Sequence, residues 1–345
     1  MATQSVTIAE TAATKVDASV PKMDIPIINI SPFLAGDAEG TAKLVADFRE
    51  ACTSVGFLQI VGHPISHDLQ ERLMEGVVRF FQLPMEQKEA ISKSKSKSNR
   101  GYERIGDQKL DDDPNVTADQ KEAFSIRTDK PLGRFLQGPN HWPDLPGFKE
   151  SYTEYYNAMR GFSQALFRII ALSLNLDEGY FDRFASDPDG LAALRSHHYP
   201  PTPVDVTGRT RGAGAHTDFG ALTLLLQDDV GGLEVLHRAS DTWHPVTPVE
   251  GAYVMNIGDL LERWTNGHYK STMHRVLSPL SLKDRYTCAY FNEGELDQVI
   301  ECIPTCLAPG EKPLYPPIKV QDHLLSRWER AYTSIGTTFY RADQP

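Results

Sequence analysis

His216 and Asp218 stand two residues apart beside the strand-like run Leu222–Gln227. In a strand, residues i and i+2 point to the same side, so this imidazole and this carboxylate can converge on one ion. The pair is weak evidence alone, because most short matches of this kind are surface polar pairs. A third ligand has to come from elsewhere, and the candidates are His237, His244, His268, His274 and His323. His274 stands out, lying in the strand-like segment Ser271–Val276 with Arg285 downstream. Two imidazoles and one carboxylate cover one face of an octahedral ion and leave three positions open. Non-haem Fe(II) oxygenases need that room for O2 and a chelating cosubstrate. Zinc accepts the same ligands, so the donor set by itself leaves a zinc hydrolase open.

Arg285 and Thr287 share one strand face and present a guanidinium and a hydroxyl. That donor pair suits the distal carboxylate of a 2-oxo acid, gripped by forked charge-assisted bonds. A surface arginine is the bland reading of such a pair, and its place after a candidate metal histidine shifts the balance towards function. Other chemistry-bearing groups read as structural. Cys302 and Cys306 can form a zinc half-site but lack a nearby histidine partner, so buried small hydrophobes are favoured, as for Cys52 and Cys288. The Ser/Lys run 92–98 is the one low-complexity stretch and reads as a solvated loop.

The elements that must position these residues change character along the chain. Asp24–Ile30 and Gly56–Gly62 read as strands; Ala42–Cys52 and Ser66–Phe81 carry apolar residues at helical spacing. Pro84 opens a further short helix. The polar stretch from Ser92 to about Asp129 reads as an irregular loop serving as lid or binding element. Phe148–Leu174 is the strongest helical pattern, its aromatics belonging to a core. Beyond Leu191, short β-rich runs separated by Gly, Asp, Asn and Pro indicate a sandwich or barrel, and Val320–Tyr332 closes with an amphipathic helix. The expected architecture is mixed α/β with a mainly β core braced by helices at both ends. Residues 1–23 read as a disordered tail without the features of a secretory signal. Residues 24–345 form one domain: a helix-rich portion 24–190, a β core 191–310 holding the metal site, and a C-terminal helix and tail 311–345.

At 345 residues, 40% hydrophobic and 23% charged, the chain has an ordinary globular composition. A net charge of −11 argues against a broad nucleic-acid or anionic-membrane surface, and no run approaches the length of a bilayer span. Widely spaced cysteines fit a reducing, cytoplasmic setting. A small molecule is the expected partner.

The order of these motifs resembles the isopenicillin N synthase-like group of 2-oxoglutarate/Fe(II)-dependent dioxygenases. The opening strand, Gly56–Ile65, Leu194–Pro201, His216-Thr-Asp218, Asn256–Asp259, Ser271–Val276 and Arg285-Tyr-Thr287 follow the group's order over nearly the whole folded chain. Gln227–Leu233, Gly258–Asn266 and Cys288–Glu293 most resemble the thymine 7-hydroxylase and ethylene-forming branches. The resemblance implies a double-stranded β-helix (jelly roll) holding Fe(II) by His216, Asp218 and His274. It implies 2-oxoglutarate gripped by Arg285 and Thr287, with Tyr199 assisting; His197 and His198 depart from the group's usual Asn and Tyr. O2 would be consumed, succinate and CO2 released, and a C–H bond oxidised, by hydroxylation, desaturation or rearrangement. An amino acid or natural-product intermediate of secondary metabolism is the candidate substrate. Tyr102, Arg104, Phe124, Phe219, Phe291 and Arg330 are its candidate pocket. Arg330 matches by position an arginine that the ethylene-forming branch turns on its substrate. An Fe(II) oxidase of the same fold that spares 2-oxoglutarate, and a ligand-binding jelly roll without turnover, are the alternatives.

Overall fold

Alternate residues of a strand face opposite ways, so strands covered on both sides need apolar groups on one face and a second environment on the other. In β-rich runs such as Leu222–Gln227 the even positions Leu222, Leu224 and Leu226 belong to one core cluster, while Leu225 packs on a different one. The computed structural model shows what lies on each side. It describes residues 23–186, 190–202, 209–278, 283–336 and 339–340. The expected tail falls outside these, apart from Met23, whose N–H donates to His244 Nδ1 at 3.3 Å.

The chain runs β1 (Ile27–Asn29), α1 (Ser31–Leu34), α2 (Ala38–Ser54), β2 (Phe57–Val61), α3 (His67–Phe81) and α4 (Met85–Ala90). Next come β3 (Gly101–Glu103), β4 (Glu122–Arg127), α5 (Phe148–Ser173) and α6 (Asp182–Ser186). The β-rich half holds β5 (Leu191–Tyr199), β6 (Ala213–His216), β7 (Leu222–Gln227), β8 (Leu233–His237), β9 (Thr242–Pro245) and β10 (Tyr253–Ile257). It closes with α7 (Asp259–Trp264), β11 (His274–Val276), β12 (Arg285–Gly294), β13 (Val299–Ile300), β14 (Ile318–Lys319) and α8 (Val320–Thr333).

One sheet has the order β1-β2-β10-β7-β12-β5-β4-β3, and a four-stranded sheet, β6-β11-β8-β9, makes the second layer of a jelly roll. Only the β1–β2 pair of the large sheet is parallel. The helices expected from spacing form with local support: Ser66 caps α3 by accepting from Leu69 N–H, and α5 runs through Gly161 unbroken. Aromatics of α3 and α5, including Phe80, Phe148 and Tyr152, pack on the outer face of the large sheet against Phe124. Between the sheets a smaller cluster, including Phe57, Leu233, Val254 and Val276, lines a cavity.

Two expectations need correction. The stretch 92–129 is not wholly irregular, since it supplies β3 and β4 to the large sheet. The Ser/Lys run is only partly a solvated loop: Ser94, Lys95 and Lys97 are exposed, but Ser92, Lys93, Ser96 and Ser98 are buried, and Lys93 reaches the cavity. Its ammonium bonds Glu103 Oε2 at 2.6 Å and lies 3.4 Å from the Tyr332 ring centroid, so an ion pair and two aromatic faces replace its water.

Candidate metal centre and cofactor cavity

Pairing of β6 with β11 sets His216 opposite His274, joining residues far apart in the chain. Asp218 follows β6 by two residues, and its Oδ1 lies 3.6 Å from His216 Nε2 and 3.7 Å from His274 Nε2. One ligand atom from each residue falls within 4.8 Å of the others, the only such group of three His, Cys, Asp or Glu among the described residues. Of the five candidate histidines, only His274 joins the pair. His323 turns instead to the carbonyl of Phe219, and His268 to that of Cys306.

The surroundings orient each donor. His216 Nδ1 faces the carbonyl of Gly214 at 2.7 Å, and His274 Nδ1 that of Thr272 at 3.1 Å. A carbonyl only accepts, so each Nδ1 carries the proton and each Nε2 presents a lone pair. Asp218 Oδ2 accepts from Thr223 Oγ1 at 2.6 Å and Asn256 Nδ2 at 2.7 Å, which leaves Oδ1 aimed at the imidazoles. Burial pulls His274 down to about 4, keeping it neutral. Burial alone would raise the Asp218 carboxyl, but His274, His216 and Asn256 hold it far below its ordinary range. The set is two imidazole nitrogens and one carboxylate oxygen. Strand β6 is itself anchored, because Asp119 and Asp111 accept from Gly214 N–H and Ala215 N–H. A Cβ at Gly214 would come within 2.7 Å of Asp111, so only glycine admits that approach.

Along β12, Arg285, Thr287, Ala289, Phe291 and Glu293 all face the cavity. Arg285 is 1% exposed, and of its guanidinium nitrogens Nη2 donates to Gln227 Oε1 whereas Nε and Nη1 have no partner. Two unmet donors on a buried cation call for an anionic ligand. Thr287 lies beside His197 on the adjacent strand, and the guanidinium packs 4.9 Å from the Tyr199 ring centroid. The residues present therefore fit both an Fe(II) ion and the dicarboxylate 2-oxoglutarate.

The pocket candidates divide by strand parity. Phe219 and Phe291 line the cavity. Tyr102 and Phe124 are turned to the helix layer, where Tyr102 Oη donates to Glu122 and Phe124 packs on Phe80. Arg104 is exposed and paired with Glu89. Arg330 stands at an outer cleft beside His216, exposed and paired with Asp112, outside the main cavity. Directly beside Tyr102 and Phe124 in the chain lie the cavity-facing Glu103, Ala123 and Ser125, and at the same parity Lys121 and Arg127 face the cavity too. Arg195, Glu293, Trp328 and Tyr332 complete that wall. Alternation from Tyr199 back through His197 to Arg195 was the available signal; for Lys93 there was none. Lys93 and Arg195 share Glu103, and Lys121 pairs with Asp119. Burial opposes the Glu103 anion, yet these two cations hold its carboxyl down to about 2.

Comparison with known proteins gives concordant results. Residues 25–145 match the family described as non-haem dioxygenase in morphine synthesis N-terminal, and residues 190–294 match the 2OG-Fe(II) oxygenase superfamily. A 2-oxoglutarate-Fe(II) type oxidoreductase, hxnY, of Emericella nidulans is 42% identical over 89% of this chain and 90% of its own. A 2-oxoglutarate-dependent dioxygenase, citB, of Monascus ruber is 38% identical over 89% and 95%. Neurospora crassa T7H, solved with alpha-KG, superposes with a TM-score of 0.79 at 33% identity, covering 88% of this chain and 95% of that one. The same enzyme with alpha-KG and thymine gives 0.78 at 32% identity over 88% and 96%.

Proposed function

The chain belongs to the 2OG-Fe(II) oxygenase superfamily and is a 2-oxoglutarate- and Fe(II)-dependent oxidoreductase, and from that premise we propose that His216, Asp218 and His274 hold its iron. Arg285 and Thr287 take the distal carboxylate of 2-oxoglutarate, with the Tyr199 ring flanking the guanidinium. The observation that carries this reading is the buried Arg285 cation with two unmet donors, in the same cavity as the converging side chains of His216, Asp218 and His274. Bound Fe(II) supplies O2 activation coupled to decarboxylation of 2-oxoglutarate to succinate and CO2.

The protein's own part is to bind, orient and exclude water. The Nδ1–H bonds to Gly214 and Thr272 keep both imidazoles aimed through Nε2, and Thr223 with Asn256 keeps Asp218 aimed through Oδ1. Phe219, Phe291 and Trp328 flank the space left for a small substrate whose C–H bond is oxidised. A small metabolite is also what the Neurospora relative holds, as thymine. Residues 24–345 act as a single catalytic domain, and a cytoplasmic setting fits the free thiols. Among the described residues no helix is long and apolar enough to cross a membrane.

The test is 2-oxoglutarate-dependent CO2 release by protein purified anaerobically and loaded with Fe(II). His216→Ala and His274→Ala are expected to abolish it, and Arg285→Leu to raise the KM for 2-oxoglutarate at least about thirtyfold, the cost of a lost buried charge contact. Full turnover by either histidine variant at limiting iron would sink the ligand assignment. Restoration by Zn(II) and not Fe(II) would favour the hydrolase, and O2 consumption without CO2 release the oxidase.

A further inference from the structure

The cavity contains a buried ion pair separate from the candidate metal ligands and from Arg285. Arg127 of β4 and Glu293 of β12 both face it and are 5% and 6% exposed. Their nearest atoms, Arg127 Nε and Glu293 Oε2, stand 3.6 Å apart, beyond hydrogen-bond range. Neither atom has a hydrogen-bond partner. The neighbouring charges are otherwise engaged, Lys93 and Arg195 with Glu103 and Lys121 with Asp119. Buried donors and acceptors are almost always matched, so an unmet donor beside an unmet acceptor on a cavity wall is the imprint of a polar ligand edge.

Its place in the sheet suits a substrate. Arg127 pairs in register with Ala193, Ala193 with Phe291, and Phe291 with Thr223. Thr223 in turn donates to Asp218, so the ion pair borders the row of residues that supports the metal carboxylate. Arg285 lies at the opposite end of β12 from Glu293. The Trp328 ring stands 5.5 Å from the Arg127 guanidinium, and Phe219 and Phe291 line the same space, flat surfaces that favour a planar molecule.

We propose that Arg127 and Glu293 recognise the substrate through a cis-amide edge. A carbonyl accepts from Arg127 Nε–H while the adjacent ring N–H donates to Glu293 Oε2. The inference rests on the 2-oxoglutarate-dependent reading of this cavity and narrows its substrate class to small planar lactams and cyclic imides. A carboxylate would satisfy Arg127 but set a like charge against Glu293. A lone hydroxyl would have to serve both atoms with one oxygen, whereas the amide meets each along its own bond.

The experiment uses the full chain loaded anaerobically with Fe(II) and 2-oxoglutarate, whose visible charge-transfer band reports the cosubstrate in place. Calorimetry then compares 2-pyridone with 2-pyrone, its isostere with a ring oxygen for the N–H, and with phenol and benzoate. 2-Pyridone is expected to bind roughly tenfold or more tightly than 2-pyrone, because the pyrone leaves Glu293 unmet. Glu293→Leu should erase that preference, Glu293→Gln, which keeps an acceptor oxygen, should retain it, and Arg127→Met should weaken both probes. Equal binding of the two probes, tighter binding of phenol or benzoate, or no 2-pyridone binding with the band present overturns the proposal. The wild-type series decides the matter where a variant fails to fold. Absence of the band would instead overturn the cosubstrate reading beneath it.

Discussion

Asp218 offers one carboxylate oxygen towards the two imidazoles because Thr223 and Asn256 occupy the other. Such outer partners commonly tune metal affinity by about 10- to 100-fold. Asn256→Ala is therefore expected to weaken Fe(II) binding by that order, measured by competition with a chromophoric chelator. Affinity unchanged within error would show that Asn256 does not orient the carboxylate. The three candidate ligands and Arg285 were legible in the sequence because each sits where local parity and motif order agree. Lys93 was not, since a Ser/Lys repeat has the composition of a solvated loop. Its burial depends on Glu103, Trp328 and Tyr332, contributed by other elements.

At the scale of elements, β4 shows how one residue of register changes a side chain's role. Phe124 faces the helices and is 0% exposed, while Ala123 and Ser125 face the cavity. Phe124→Ala should cost about 3–5 kcal/mol in urea unfolding, as aromatic truncations in cores do, with the KM for 2-oxoglutarate unchanged. A changed KM in a variant of undiminished stability would return Phe124 to the pocket. On the same outer face, His198 of β5 bonds Glu122 of β4 through Nδ1 and Asp284 through Nε2, both at 2.7 Å. Lys88 of α4 and Tyr102 of β3 also bond Glu122, and Phe81 of α3 and Tyr286 of β12 pack on the imidazole. Burial would lower the His198 pKa, but the two carboxylates outweigh it and raise it. A raised folded-state pKa stabilises fully below the ordinary imidazole value of about 6.5. That contribution disappears as pH climbs through the raised value. The melting temperature of wild type should thus fall between about pH 6 and about pH 8 by more than that of His198→Gln. Parallel profiles would remove His198 as the cause.

For the whole molecule, strands from both halves of the chain meet in one sheet: β2 pairs with β10 and β4 with β5 of the β core, and β1 and β3 extend the sheet beyond them. The candidate metal ligands lie on or beside the second sheet, and Arg285 on the first. Ligands bridging the two should stabilise the chain as one unit. Saturation at about 100 times the Kd adds about 2.7 kcal/mol to a single transition. Fluorescence and circular dichroism are expected to agree on a single unfolding midpoint in each condition, the midpoint with Mn(II) and 2-oxoglutarate being the higher. Two separable transitions, only one of them shifted, would divide the chain into independent domains. The sequence by itself determined the long helices, the β-rich half and the candidates His216, Asp218, His274 and Arg285. These follow from local periodicity and motif order, which short-range geometry enforces. Which residues face the substrate was decided by tertiary structure. The pairing of β3, β4 and β5 turns Glu103, Arg127 and Arg195 inward, and the docking of α8 closes the cavity with Trp328 and Tyr332. Register and helix docking arise from contacts between distant segments, and local pattern carries no record of them.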